Sequence, residues 1–113
     1  MLEDKSKAIQ FATMIILHSG NARKLISDAY AELIEFDFDA ARKKIELARE
    51  ETMFAHKEQS KIISSETNEQ SIEFSLLLTH AQDTLMSAVS EIQIAKNLIE
   101  LIEKVRQDYS SKV

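Results

Sequence analysis

With 113 residues, a net charge of −5, one Gly, no Pro and no Cys, the chain is sized for a single domain and excludes several classes of function at once. The acidic balance has the wrong sign for holding a nucleic-acid backbone by counterion release, and without Cys there is no disulfide, zinc-thiolate site or thiol nucleophile. A chain with so little Gly and no Pro, rich in strong helix formers, is predicted to be all-α.

The start, Met1 to Lys7, is polar and charged, and the longest apolar runs, such as Met14 to Leu17 and Leu76 to Leu78, are far too short to cross a bilayer. No signal peptide, no membrane insertion and a cytoplasmic location are therefore expected. Helix 1 is predicted over about residues 4–35, where Ala8, Ala12, Ile15, Ser19, Ala22, Ile26, Ala29 and Leu33 recur at steps of four and three. Phe11, Ile16, Leu25, Tyr30 and Ile34 widen this stripe. Gly20 lies inside it, although a helix-interior Gly costs about 1 kcal/mol relative to Ala. Two accounts compete: close approach of another helix, which is favoured, or a partner or ligand passing over the Gly.

At Phe36-Asp37-Phe38-Asp39 the stripe breaks phase, and either Asp is suited to cap a new helix after a tight reversal. Helix 2 is predicted over about 38–63 on the seam Phe38, Ala41, Ile45, Ala48, Thr52, Ala55, Gln59 and Ile62, with His56 beside it. Its other side mixes acids and bases, the pattern of a solvated face. Ser64 to Ser71 reads as the second connection. Helix 3, predicted over about 71–107, carries the longest pattern: Phe74, Leu78, Ala81, Leu85, Ala88, Ile92, Ala95, Ile99 and Ile102. Asp108 to Val113 is expected to be a frayed polar tail.

Short connections make the three helices antiparallel neighbours in a three-helix bundle. Rods of about thirty residues, about 45 Å long, hide only one stripe each. Helix 3, however, has a second apolar flank at Ile94, Leu98, Leu101 and Val105, and helix 1 is apolar over a wide arc. Exposed stripes of that length mark an interface, so a homo-oligomer is expected.

Near the start of helix 3 the second flank turns polar, at Thr79, His80, Asp83, Thr84 and Ser87. His80 and Asp83 stand one turn apart on one side of the helix. A neutral imidazole offers a nucleophilic nitrogen suited to accepting a phosphoryl group; the plainer reading is a hydrogen-bonded interfacial histidine. Asp83 has largely apolar neighbours at helical spacing and is either exposed or paired with a cation. Copies converging on a symmetry axis would take up protons or bind a metal ion. His18, His56 and His80 lack the spacing of helical zinc ligands. No phosphate-binding Gly loop, serine elbow or acid–base carboxylate pair is recognisable.

Four motifs in order, Ser19-Gly20-Asn21-Ala22-Arg23, Phe36 to Ala41, Ala55-His56-Lys57-Glu58-Gln59-Ser60 and Thr79-His80-Ala81-Gln82-Asp83-Thr84-Leu85-Met86, resemble the IIA component of the lactose/cellobiose (including chitobiose) group of the bacterial phosphoenolpyruvate-dependent sugar phosphotransferase system. The resemblance covers roughly Ile15 to Lys104. It implies a homotrimer of three-helix protomers forming a nine-helix bundle. It makes His80 the residue that receives a phosphoryl group from the carrier protein HPr and passes it to a cysteine of the IIB component. It also places Asp83 on the trimer axis as a structural metal ligand, typically to magnesium. Gln82, Gln59 and His56, the last from a neighbouring protomer, are expected supporting residues.

The chain departs from the family where members often carry a second histidine, here Thr84, and Ala81 leans toward cellobiose or chitobiose members. Two rivals stand beside this reading. A histidine phosphotransfer domain of a two-component relay usually has Lys soon after its histidine, where this chain has Asp83; a non-catalytic helical adaptor would give His80 no special role.

Overall fold

The computed structural model describes residues 2–64 and 72–112, with side chains over residues 6–63 and 74–112. Three helices account for almost all of them: α1 (Leu2–Ile34), α2 (Phe38–Ser64) and α3 (Ile72–Ser111). They run up, down and up in a rod measuring 68 × 19 × 18 Å.

Each seam read from spacing is the buried face of its helix. From Ala8 to Leu33 every seam position of α1 is buried, and α2 and α3 depart only at the half-buried Phe38, Gln59, Leu78 and Ile102. Alanine recurs along all three seams, so the backbones approach closely and the core is thin. It forms two clusters. One joins Ala22, Ile26, Ala48, Ile92 and Ile99 near the α1–α2 reversal. The other joins Ala12, Ile15, Ala55, Phe74 and Leu85 toward the opposite end. Burying one Ile or Leu in such a core contributes about 1.5–3 kcal/mol, so the few large residues do most of the stabilising.

The reversal is a Schellman motif. Phe36 N–H donates to Leu33 O at 2.9 Å and Asp37 N–H to Glu32 O at 3.0 Å, satisfying carbonyls that the end of α1 leaves open. Phe36 takes the left-handed position, φ 60°, where glycine is the usual residue. The cost is offset by Arg106, whose guanidinium lies 3.9 Å from the Phe36 ring centre, and by the Phe38 ring at 6.4 Å. Of the two predicted caps the structure uses Asp37, whose Oδ1 accepts from Ala40 N–H at 3.1 Å.

α3 does not fray at Asp108. It continues helical to Ser111, correcting the expected tail. Lys104 pairs with Asp108 at 3.3 Å, Ser111 Oγ donates to Asp108 O at 2.9 Å, and Tyr109 borders an apolar cleft with Phe36, Leu101 and Val105. The second predicted connection falls outside the described residues apart from Ser64.

Side-chain pairs fix the register. α1 runs parallel to α3, with Arg23 held by both carboxylate oxygens of Glu91 at 3.2 and 3.0 Å. α2 runs antiparallel and packs less against α3 than against α1, leaving an open groove where Ile45 meets Ile99 and, further along, His56 and Met53 meet Val89 and Gln93.

Candidate functional site

The outward face of α3 holds the polar island. Leu76, His80, Asp83, Ser87, Ser90, Ile94, Leu101 and Val105 follow one another at steps that keep them on one stripe, and all are exposed. The lower half of that stripe is apolar and open to solvent, with Ile94 54 %, Leu101 58 % and Val105 60 % exposed. His80 and Asp83, with Ser87 and Ser90, thus form the polar stretch of a strip that turns apolar from Ile94 onward.

His80 is exposed, and among the described residues neither ring nitrogen has a hydrogen-bond partner. Its backbone is better held. Thr84 Oγ1 donates to the His80 carbonyl at 2.8 Å, a back-bond that engages the hydroxyl on the turn after the histidine. The ring is therefore presented on a continuous helix with both nitrogens open among the described residues, an arrangement suited to a nucleophile serving a macromolecular partner. Asp83 is exposed one turn on, Gln82 is exposed on the other flank of α3, and Gln59 is half-buried on α2.

His56 is not brought to His80 within one chain. It lines the α2/α3 groove level with Val89, which at 1.5 Å per residue is about 13 Å along α3 from His80. The third histidine, His18, does have a partner that spacing did not reveal. Glu51 Oε2 on α2 accepts from His18 Nδ1 at 2.6 Å, and the ring lies against Phe54 with centroids 5.4 Å apart. That pair ties α1 to α2, on the side of α1 away from the Arg23–Glu91 bridge.

Magnesium takes oxygen ligands, usually one or two carboxylates with waters completing an octahedron. Among the described residues no three His, Cys, Asp or Glu side chains gather to hold a metal ion. Asp83 stands as a lone exposed carboxylate on its stripe, so the described residues of one chain do not gather a metal centre around it.

The favoured account of Gly20 does not hold within the chain. A Cβ built there meets nothing within 4 Å among the described residues, so no helix of the same protomer requires the glycine. Its neighbour Ser19 is fully buried, and its Oγ has no hydrogen-bond partner among the described residues. No described helix is long and apolar enough to cross a membrane.

Comparison with known proteins matches residues 10–103 to the family described as PTS system, Lactose/Cellobiose specific IIA subunit. The lichenan-specific phosphotransferase enzyme IIA component of Bacillus subtilis (strain 168) is 38 % identical over 104 residues, covering 92 % of this chain and 94 % of that one. The N,N'-diacetylchitobiose-specific EIIA component of Escherichia coli (strain K12) is 36 % identical, covering 81 % and 79 %. The lactose-specific EIIA component of Staphylococcus epidermidis is 32 % identical, covering 80 % and 86 %. No solved structure matches the chain.

Proposed function

The chain belongs to the lactose/cellobiose-specific IIA family of the sugar phosphotransferase system, and on that premise we propose that it carries phosphoryl groups on His80, taking them from phospho-HPr and delivering them to a IIB component during uptake of a β-linked disaccharide. The observation that carries the assignment is the setting of His80: exposed on the outward α3 stripe beside Asp83 and, among the described residues, without a hydrogen-bond partner for its ring.

In the first transfer, the lone pair of a His80 ring nitrogen attacks the donor phosphorus in line. A new N–P bond forms as the donor's N–P bond breaks, and the donor imidazole leaves with the electron pair. In the second, the thiolate of a IIB cysteine attacks the same phosphorus and His80 leaves as neutral imidazole. Phosphoryl transfer of this kind gains most from positioning and from donors that neutralise the equatorial oxygens. Gln82, Gln59 and His56 are the side chains assigned to that work; Gln82 leaves α3 on the flank away from His80 and His56 lies along the bundle from it, so both would act from a neighbouring copy.

The same reading makes the protein a cytoplasmic homotrimer. Packing the α3 stripes of three copies together would cover Ile94, Leu101 and Val105 and bring three Asp83 carboxylates to one axis. There magnesium would supply the positive charge that like carboxylates require. Of the sugar itself, only Ala81 carries a slight lean, toward cellobiose or chitobiose.

Incubation with phosphoenolpyruvate, enzyme I and HPr tests the assignment. Intact mass should show one acid-labile phosphoryl group per chain in the wild type and none in His80→Ala. Uptake by the variant, or by neither protein with an active donor, sinks it.

A further inference from the structure

Gly20 is a helix-weakening residue with no role inside its own protomer. It sits on an unusual flank. Ile9, Thr13, Ile16 and Gly20 follow one another at steps of four and three on α1, are uncharged, and are exposed apart from the half-buried Ile16; the exposed Lys24 comes one turn later. Arg23, one turn after Gly20 on the same side, has its charge engaged by Glu91 of α3. This flank therefore borders α3 on one edge of the protomer.

The other edge of α3 carries the reverse relief. Met53 of α2 and Val89 of α3 line the open groove, and Met86 stands one turn before Val89 on the same side; Met53 and Met86 are 57 % and 66 % exposed. The levels coincide. Arg23 is level with Glu91, so Gly20, three residues earlier, is level with Ala88, between Met86 and Val89. One edge presents a dimple and the other, at the same height, the Met86 and Val89 side chains, with Met53 further along the groove near Ile92 and the outward α3 stripe between the two edges.

We infer that Gly20 is a socket for the Met86 and Val89 ridge of an adjacent copy of this chain, so that α1 as well as α3 takes part in subunit contact. Rotation about an axis along the rod leaves heights unchanged, so copies arranged side by side bring the two edges together in register. Such a head-to-tail contact closes into a ring when the rotation allows. The small residue then serves the close approach of a helix from another protomer, and methionine fills the uneven space. The inference rests on the trimer reading above and adds to it a second contact, away from the axis.

Sedimentation velocity over a dilution series tests it with Gly20→Leu and Ile94→Glu alongside the wild type. Leu at position 20 has open space in the single chain and is the better helix former, so helicity by circular dichroism should hold or rise. The concentration at which the assembly half-dissociates should nevertheless increase at least tenfold. Because the chain has no Cys, a mixture of Gly20→Cys and Val89→Cys chains should also be joined by a short bis-maleimide into unlike pairs. A Gly20→Leu protein that assembles like the wild type, with no unlike pairs, overturns the socket; if Ile94→Glu still dissociates, the α3-centred trimer stands without it. A wild type that is monomeric at every concentration overturns both.

Discussion

Chemistry in this protein depends on which histidine is left open and on where it stands. His18 is held by Glu51 and Phe54; among the described residues the rings of His56 and His80 have no hydrogen-bond partner, and of these two only His80 stands beside Asp83 on the outward α3 stripe. Sequence spacing could single out His80, because it lies next to Asp83 on a seam that turns polar. It could not show that His18 is engaged, because Glu51 is far away in the chain and meets it only once α1 and α2 pack. His18→Ala should therefore lower stability by about 1 kcal/mol, the net worth of one intramolecular hydrogen bond, in urea unfolding, while phosphoryl uptake stays intact. Ser19→Ala should go the other way. The buried hydroxyl has no partner among the described residues, and removing an unsatisfied polar atom recovers up to about 1–3 kcal/mol of desolvation cost. Equilibrium unfolding of the two variants should move in opposite directions, and a destabilised Ser19→Ala would mean the hydroxyl has a partner after all.

At the scale of the helix, periodicity was nearly sufficient, and the exceptions have local causes. The seams placed the buried faces of all three helices because a continuous step of four and three has one geometric solution. The end of α3 was missed because a polar run carries no such period, and what holds it is one ion pair, one serine back-bond and the Tyr109 cleft. The reversal was legible as a break in phase, but not the left-handed Phe36 at its apex, since the Arg106 contact that supports it comes from the far end of the chain. Capping by Asp37 should be worth about 1 kcal/mol, so Asp37→Ala should lower the urea midpoint with an unchanged slope.

Arg42 and Glu103 join α2 to α3 near this end through two guanidinium–carboxylate hydrogen bonds. The hydrogen bond from Arg42 holds the Glu103 carboxyl below its usual range. Because the folded value is depressed, the stabilisation is complete above the ordinary glutamate pKa of about 4.3 and fades as pH falls through the folded value. The stability gap between wild type and Glu103→Gln should thus be constant from neutral pH to about 5 and close on further acidification. A gap that persists unchanged at low pH would show that packing, not charge, sets it.

Taken whole, a rod 68 Å long and under 20 Å wide has too little interior to cover the apolar residues it carries. This is the physical reason for the proposed assembly, and why the outer surfaces, unlike the core, could be located but not paired from sequence. If folding and association are coupled, stability follows mass action: the unfolding midpoint should rise with protein concentration in the wild type. Ile94→Glu places a charge in the middle of the α3 stripe, where three copies would be desolvated together. It should abolish that concentration dependence while leaving helix content unchanged when the protein is folded. Thermal unfolding at several concentrations separates the cases, because a variant damaged only within the protomer would lose stability equally at all of them. A wild-type midpoint independent of concentration would mean the single rod is stable with its stripes exposed, and would remove the reason for bringing the Asp83 carboxylates together.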